Sequence, residues 1–169
     1  EDIETIYRER YLDLIMNDES KKKFIFRSRF IREIRNYLDE AGYMEIETPI
    51  LNNKASGATA RPFITHHNAL DIDLYLRIAP ETYLKRAVVG GINKVFEIAR
   101  CFRNEGIDAT HLQDFTMLEC YAAYYNYKDN MLLLENMLKT VISKVFGSLV
   151  ITINDKEVDL SKKWETVSF

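Results

Sequence analysis

Apolar positions recur at helical spacing through residues 19–41, where Phe26, Phe30, Ile34, Tyr37 or Leu38, and Ala41 form one stripe. Arg27, Arg32, Glu33, Arg35 and Asp39 are left for the water-facing side, and Gly42 is a natural C-cap. Residues 43–48 then read as a strand stopped by Pro49. Asn52, Asn53, Ser56 and Gly57 predict a loop over 50–60. Short strands are expected at 63–65 and 74–78, around the turn-rich stretch 68–71. Pro80 opens a helix that runs to Val89 and stops at Gly90-Gly91. Residues 94–104 read as a long strand through Val95-Phe96-Glu97-Ile98, with 115–125 as its antiparallel partner.

An amphipathic helix is expected over 126–146, with Met131, Leu134, Leu138, Val141 and Val145 on its apolar side. Residues 149–153 and 157–160 form a hairpin pattern around Asn154-Asp155. Strands that pair mainly antiparallel, with helices covering them, make an α+β fold rather than repeated βαβ units. No internal repeat, low-complexity segment or linker stands out, and the two ends are expected to fray.

Composition changes this picture little. A chain of 169 residues carries a prior of one domain, able to bury roughly 70% of its unfolded surface. Twenty-three basic against 26 acidic residues give a net charge of -3, which is no footprint for general nucleic-acid binding. No secretory signal and no apolar run of membrane-spanning length is visible. Cys101 and Cys120 have neither zinc-like spacing nor a disulfide framework, so a reducing cytoplasm is the simplest home. His66 and His67 are adjacent on a strand and point oppositely, so no metal site is assigned.

The chemistry concentrates in Phe102-Arg103-Asn104-Glu105-Gly106, followed by His111 and by Asp114-Phe115-Thr116. Alternate strand residues face one way, so Arg103 with Glu105, and Glu119 with Tyr121, are each expected to serve one pocket. A guanidinium fork for anionic oxygens beside several carboxylates suits a ligand with both signs of charge, such as a nucleotide together with an amino acid. Taken alone, Arg103 also reads as a strand-surface ion pair with Glu105, and Glu81 as a first-turn helix carboxylate.

The 102–116 string resembles motif 2 of the class II aminoacyl-tRNA synthetases. Tyr11-Leu12-Asp13-Leu14, the run Ala60-Arg61-Pro62-Phe63-Ile64-Thr65-His66-His67-Asn68, and Leu76-Arg77-Ile78-Ala79-Pro80-Glu81 resemble the lysyl-tRNA synthetases within that class. The helix–strand–Pro unit of 19–49 resembles motif 1, which in this class builds a homodimer interface, and 94–125 resembles the motif 2 strand–loop–strand. The resemblance implies one partial catalytic domain over 1–169 and an activity of ATP-dependent lysine activation followed by transfer to tRNA(Lys). It makes Arg103 the catalytic residue, contacting ATP and the lysine carboxylate. Glu105, His111 and Phe115 complete the ATP-binding set, with Glu105 on the adenine side, His111 toward the distal phosphates and Phe115 stacking on adenine. It places Gly57, Glu81, Glu119 and Tyr121 around lysine, with Glu81 and Tyr121 toward the side-chain ammonium and Glu119 toward the α-amine.

ATP is then a substrate and Mg2+ the ion of the complete enzyme. Motif 3, the magnesium-binding carboxylates and the anticodon-reading OB-fold are not recognisable, so the chain is expected to lack full activity by itself. Two departures from the lysyl pattern are visible: Ser56 where paired glycines are usual, and Leu112-Gln113-Asp114 between the retained His111 and Phe115. Two other functions stay open at this point: a lysine-type ligase that modifies a translation-factor protein, and a non-catalytic dimerisation or regulatory module.

Overall fold

The computed structural model describes residues 3–168. They fall into two compact units, one made of the residues up to 37 together with those from 126 onward, the other of residues 38–125.

In the first unit, two short helices, α1 (Ile3–Arg8) and α2 (Arg10–Met16), precede the long helix α3 (Asp18–Glu40), whose last residues belong to the second unit. The sequence pattern gave no sign of α1 and α2. The buried Asp13 ties this stretch down, because its carboxylate accepts from Arg10, Asn17 and Ser20. A carboxylate withdrawn from water is tolerable only with such donors around it. Helix α5 (Tyr127–Phe146) begins in a capping box: Asn126 accepts from the Lys128 and Asp129 amides, and Asp129 accepts from the Asn126 amide. Met137 and Val141 are its buried positions, whereas Met131 and Leu134 of the expected apolar side remain exposed. Strands β7 (Val150–Ile153) and β8 (Lys156–Asp159) pair antiparallel across Asn154 and Asp155. Both turn residues have positive φ, as a two-residue hairpin with the right-handed strand twist requires.

The second unit holds two three-stranded sheets. One has the order β1–β5–β6, from β1 (Met44–Glu45), β5 (Lys94–Phe102) and β6 (Asp114–Ala122). Its β5–β6 pair is antiparallel over nine residues each, and only the short edge strand β1 runs parallel to β5. The other has the order β2–β4–β3, from β2 (Leu51–Asn52), β3 (Ile64–His67) and β4 (Ile72–Leu76), all antiparallel. Helix α4 (Glu81–Val89) follows β4 and packs on β5 and β6. The α+β reading with mainly antiparallel strands holds.

The register of β5 and β6 decides what the sheet presents. Val95, Glu97, Ala99 and Cys101 share one face of β5 and are all buried. Opposite them on β6 stand Tyr121, Glu119, Met117 and Phe115, in that order. The core of this unit adds Leu38, Tyr43, Leu74, Ile78 and Leu84, with Phe96 on the reverse face of β5.

Candidate functional site

Strand β5 ends at Phe102, one residue before the guanidinium that the sequence placed on it. Pairing nevertheless continues for one rung, because the Arg103 amide donates to Gln113 O at 2.8 Å. Glu105 lies in a bend beyond the strand, so the expected strand alternation of Arg103 and Glu105 is corrected. A loop fold brings them together instead. The Asn104 amide donates to Arg61 O at 2.7 Å, and Glu105 Oε1 accepts from the Arg61 amide at 3.2 Å. The Gln113 side-chain amide closes the loop base by donating to Glu105 O at 3.2 Å.

These contacts shape a cavity of about 550 Å³ that Arg103, Glu105, His111 and Phe115 all line. The four residues expected around ATP therefore meet at one place. The Arg103 guanidinium carbon stands 5.0 Å from the centre of the Phe115 ring, a cation–π spacing. Its Nε is buried without a hydrogen-bond partner. Such an orphaned donor costs about 1–3 kcal/mol unless an acceptor reaches it, and an anionic oxygen is the acceptor that guanidinium geometry favours. Across the cavity, Asp108 accepts from the His111 and Thr110 amides and from the Thr110 hydroxyl, and its carboxylate meets His111 Nδ1 at 2.8 Å. The Thr110 and His111 donors hold the Asp108 carboxyl down at about 2. Asp108 is thus the peg on which the loop hangs His111, a role the sequence reading missed although an Asp that bonds the backbone amide two residues on, here that of Thr110, is a turn signal.

A second cluster forms farther along the same face. Tyr121 Oη donates to Glu119 Oε2 at 3.0 Å. Burial pushes the Glu119 carboxyl up, with the Tyr121 hydrogen bond opposing it and the negative charge of Glu81 adding to it. Burial, and then the Glu119 carboxylate, push the Tyr121 phenol up as well, so it stays a donor. Glu81 opens α4 next to Pro80 and pairs with Lys85 one turn on. Gly57 has φ +91°, and a Cβ there would stand 3.1 Å from Glu81 Cβ and 3.2 Å from Ala79 Cβ. A side chain at 57 is therefore strained twice over, by backbone and by contact. Ser56, the departure from paired glycines, accepts from the Thr82 hydroxyl at 3.0 Å beside the start of α4. Gly57 stands against Glu81, and the charge of Glu81 acts on Glu119 and Tyr121, but none of the four lines the 550 Å³ cavity.

Beside the second cluster lies a network that the sequence did not reveal. Glu97 stands directly opposite Glu119 and is 3% exposed. Arg77, 5% exposed, reaches Glu97 Oε1 at 2.6 Å, and the Thr48 hydroxyl reaches Oε2 at 2.6 Å. Arg77 Nε donates to Arg100 O at 2.8 Å, and Nη1 also donates to Thr48 O at 3.0 Å. A Glu inside the apolar run Val95-Phe96-Glu97-Ile98 was the available signal, since a buried carboxylate requires a cation. Burial also pushes the Cys101 thiol up, which leaves it a poor nucleophile.

The family profile described as tRNA synthetases class II (D, K and N) matches residues 2–169. The chain belongs to that family. Among its relatives, a lysine–tRNA ligase of Enterococcus faecalis is 58% identical over 163 residues, covering 96% of this chain and 33% of that protein. One of Staphylococcus epidermidis is 54% identical over 165 residues, covering 98% of this chain and 33% of that protein. One of Syntrophomonas wolfei is 54% identical over 167 residues, covering 99% of this chain and 34% of that protein. The chain spans about a third of the length of these relatives. As a member of the class II family it carries an α+β sheet with the strand–loop–strand cavity at one end and the acidic cluster at the other. No helix among the described residues is long and apolar enough to cross a membrane.

Proposed function

We propose that this chain carries the adenylate-forming face of an ATP-dependent lysine–tRNA ligase. The observation that carries the reading is the single strand face with Arg103 over Phe115 at one end and the Glu119–Tyr121 pair at the other. Phe115 and Glu119 are four residues apart on β6, about 13 Å at the usual strand rise. Relatives named lysine–tRNA ligase, 54–58% identical over nearly the whole chain, support the same activity.

ATP lies in the cavity with adenine on Phe115 and Glu105 on its adenine side, and His111 faces the distal phosphates. Arg103 binds an α-phosphate oxygen and the lysine carboxylate together, which brings nucleophile and electrophile into line. Glu119 receives the α-amine, Glu81 and Tyr121 receive the side-chain ammonium, and the Gly57 backbone closes the pocket over them. The carboxylate attacks the α-phosphorus and pyrophosphate leaves. A terminal ribose hydroxyl of tRNA(Lys) then attacks the lysyl-adenylate and AMP leaves. Protein groups position and neutralise charge throughout, and no covalent enzyme intermediate forms.

Magnesium is the ion this chemistry uses to screen ATP phosphates. The residues present do not make a site for it. No three potential metal ligands converge among the described residues. We assign the ion no step here. A homodimer built on 19–49 fits the short edge strand β1 and its exposed Met44, and a cytoplasmic setting fits the free Cys101 and Cys120.

The test is ATP–pyrophosphate exchange by an E. faecalis-type ligase carrying this chain's residues in place of its own matching segment. Exchange that depends on lysine, and not on aspartate or asparagine, supports the reading. Exchange driven equally by aspartate overturns it.

A further inference from the structure

Lys85 reaches the acidic cluster from helix α4. Its Nζ pairs with Glu81 Oε1 and stands 5.8 Å from the centre of the Tyr121 ring, and Tyr121 is bonded to Glu119. An ordinary helix pair four residues apart explains the first contact. It does not explain the second, since Tyr121 belongs to a strand and Lys85 to a helix. A primary ammonium on a four-carbon stem is already seated among the groups read above as receiving the side-chain ammonium of a lysine ligand. Chemically it is the same group.

We propose that Lys85 is an internal stand-in for the ligand's side-chain ammonium, holding Glu81 until free lysine displaces it. The inference rests on the reading of Glu81, Glu119 and Tyr121 as a lysine pocket, and it adds how that pocket is kept before the ligand arrives. Without a cation, Glu81 and Glu119 repel each other near a buried phenol, and Lys85 offsets this: its charge draws the Glu119 carboxyl down while that of Glu81 draws it up. The hold is weak enough to exchange. Lys85 is 58% exposed and Glu81 32% exposed at their side chains, and half-exposed helical pairs of this kind contribute little to stability.

A ligand with its own ammonium replaces Lys85 like for like, so Glu81 is never left bare. An uncharged side chain of equal length displaces Lys85 only by stripping Glu81 of its cation. Lys85 thus keeps Glu81 paired until the ligand arrives, and it is a positioning residue rather than a catalytic one.

Calorimetric titration of L-lysine and L-norleucine into this chain and into its Lys85→Met variant tests the inference. Methionine keeps the unbranched stem and a good helix propensity, so the fold is preserved. Removal of a competitor held by roughly 0.4–1 kcal/mol should tighten lysine binding about two- to fivefold. Norleucine, which has to displace the same ammonium, should gain by the same factor. Weaker or equal lysine binding by the variant overturns the stand-in role while wild-type lysine binding keeps the pocket reading alive. No lysine binding by either protein overturns both. A Lys85 ammonium resonance that fails to move at saturating lysine, followed by nitrogen-15 spectroscopy, also overturns the displacement.

Discussion

Glu97 and Glu119 face each other directly across β5 and β6, yet one is locked to a guanidinium and the other is not. Arg77 and Thr48 take both oxygens of Glu97, whereas among the described residues Glu119 accepts from the Tyr121 hydroxyl alone. Two like charges at adjacent cross-strand positions repel, and the cation under Glu97 removes most of that repulsion. Glu119 is thereby left as the carboxylate with capacity to spare.

Arg77→Met should destabilise the chain by about 3–5 kcal/mol, because Glu97 is then buried with a hydroxyl as its remaining partner. The double variant Arg77→Met with Glu97→Leu should recover most of the loss, since an apolar pair often replaces a buried ion pair at little cost. Urea unfolding of the three proteins checks both statements. A double variant as unstable as the single one would show that packing of the Arg77 stem, not its charge, matters.

Glu119 carries a sign opposite to that of a salt-bridged carboxylate. Its folded-state value is raised above the ordinary 4.5, chiefly by burial. The folded chain therefore holds its proton more tightly than the unfolded chain, and stability falls as pH rises from about 4.5 through the raised value. Glu119→Gln should melt higher than wild type at pH 7, and the difference should disappear below pH 4.5. Melting curves across that range decide it, and a variant less stable than wild type at pH 7 would contradict the desolvation argument. The same substitution should weaken lysine binding, so the charge is kept for binding at the expense of the fold.

For Asp108 the direction reverses. Its carboxyl is held at about 2 by donors from Thr110 and His111, so the loop contacts are fully present above the ordinary value of 3.8 and are lost as pH falls through about 2. Asp108→Ala should speed amide exchange at Thr110 and His111 at neutral pH by severalfold, with the melting temperature of the chain hardly changed. Exchange that stays as slow as in wild type would mean that the loop is held by its base at Gln113 alone.

Arg103→Lys should weaken ATP binding about tenfold or more. Lysine keeps the charge but loses the planar fork and its stacking over Phe115, and one charged hydrogen bond is worth about 1.5–3 kcal/mol. Fluorescence titration with an ATP analogue measures it. Equal affinity would remove Arg103 from the nucleotide site.

The long elements were legible because their signals are local. The Asn126 cap, the Gly147 turn with φ +77° and the alternation through β5 and β6 are written into neighbouring residues. The first two helices were not legible. At six and seven residues they carry too little periodicity, and their anchor is Asp13 reaching Ser20 seven residues away. The edge strand shrank from the expected 43–48 to Met44–Glu45, because the following residues are used to aim Thr48 at Glu97. The site residues were nameable from their resemblance to a motif, but the Arg77–Glu97 support was not, since its members lie twenty residues apart, Glu97 on β5 and Arg77 just beyond β4 of the other sheet.

The pairing of β5 with β6 also governs how such a chain can change length. A strand slipped by one residue turns every side chain to the opposite face. A single deletion between Phe115 and Tyr121 would therefore throw the nucleotide-stacking ring and the acidic pair onto opposite sides of the sheet. Insertions between Gly106 and Leu112 leave that parity untouched, because the rungs from Arg103 to Gln113 outward are already made. Lineages of this chain should thus lengthen and shorten freely at the loop tip while the count of residues from Phe115 to Tyr121 never varies.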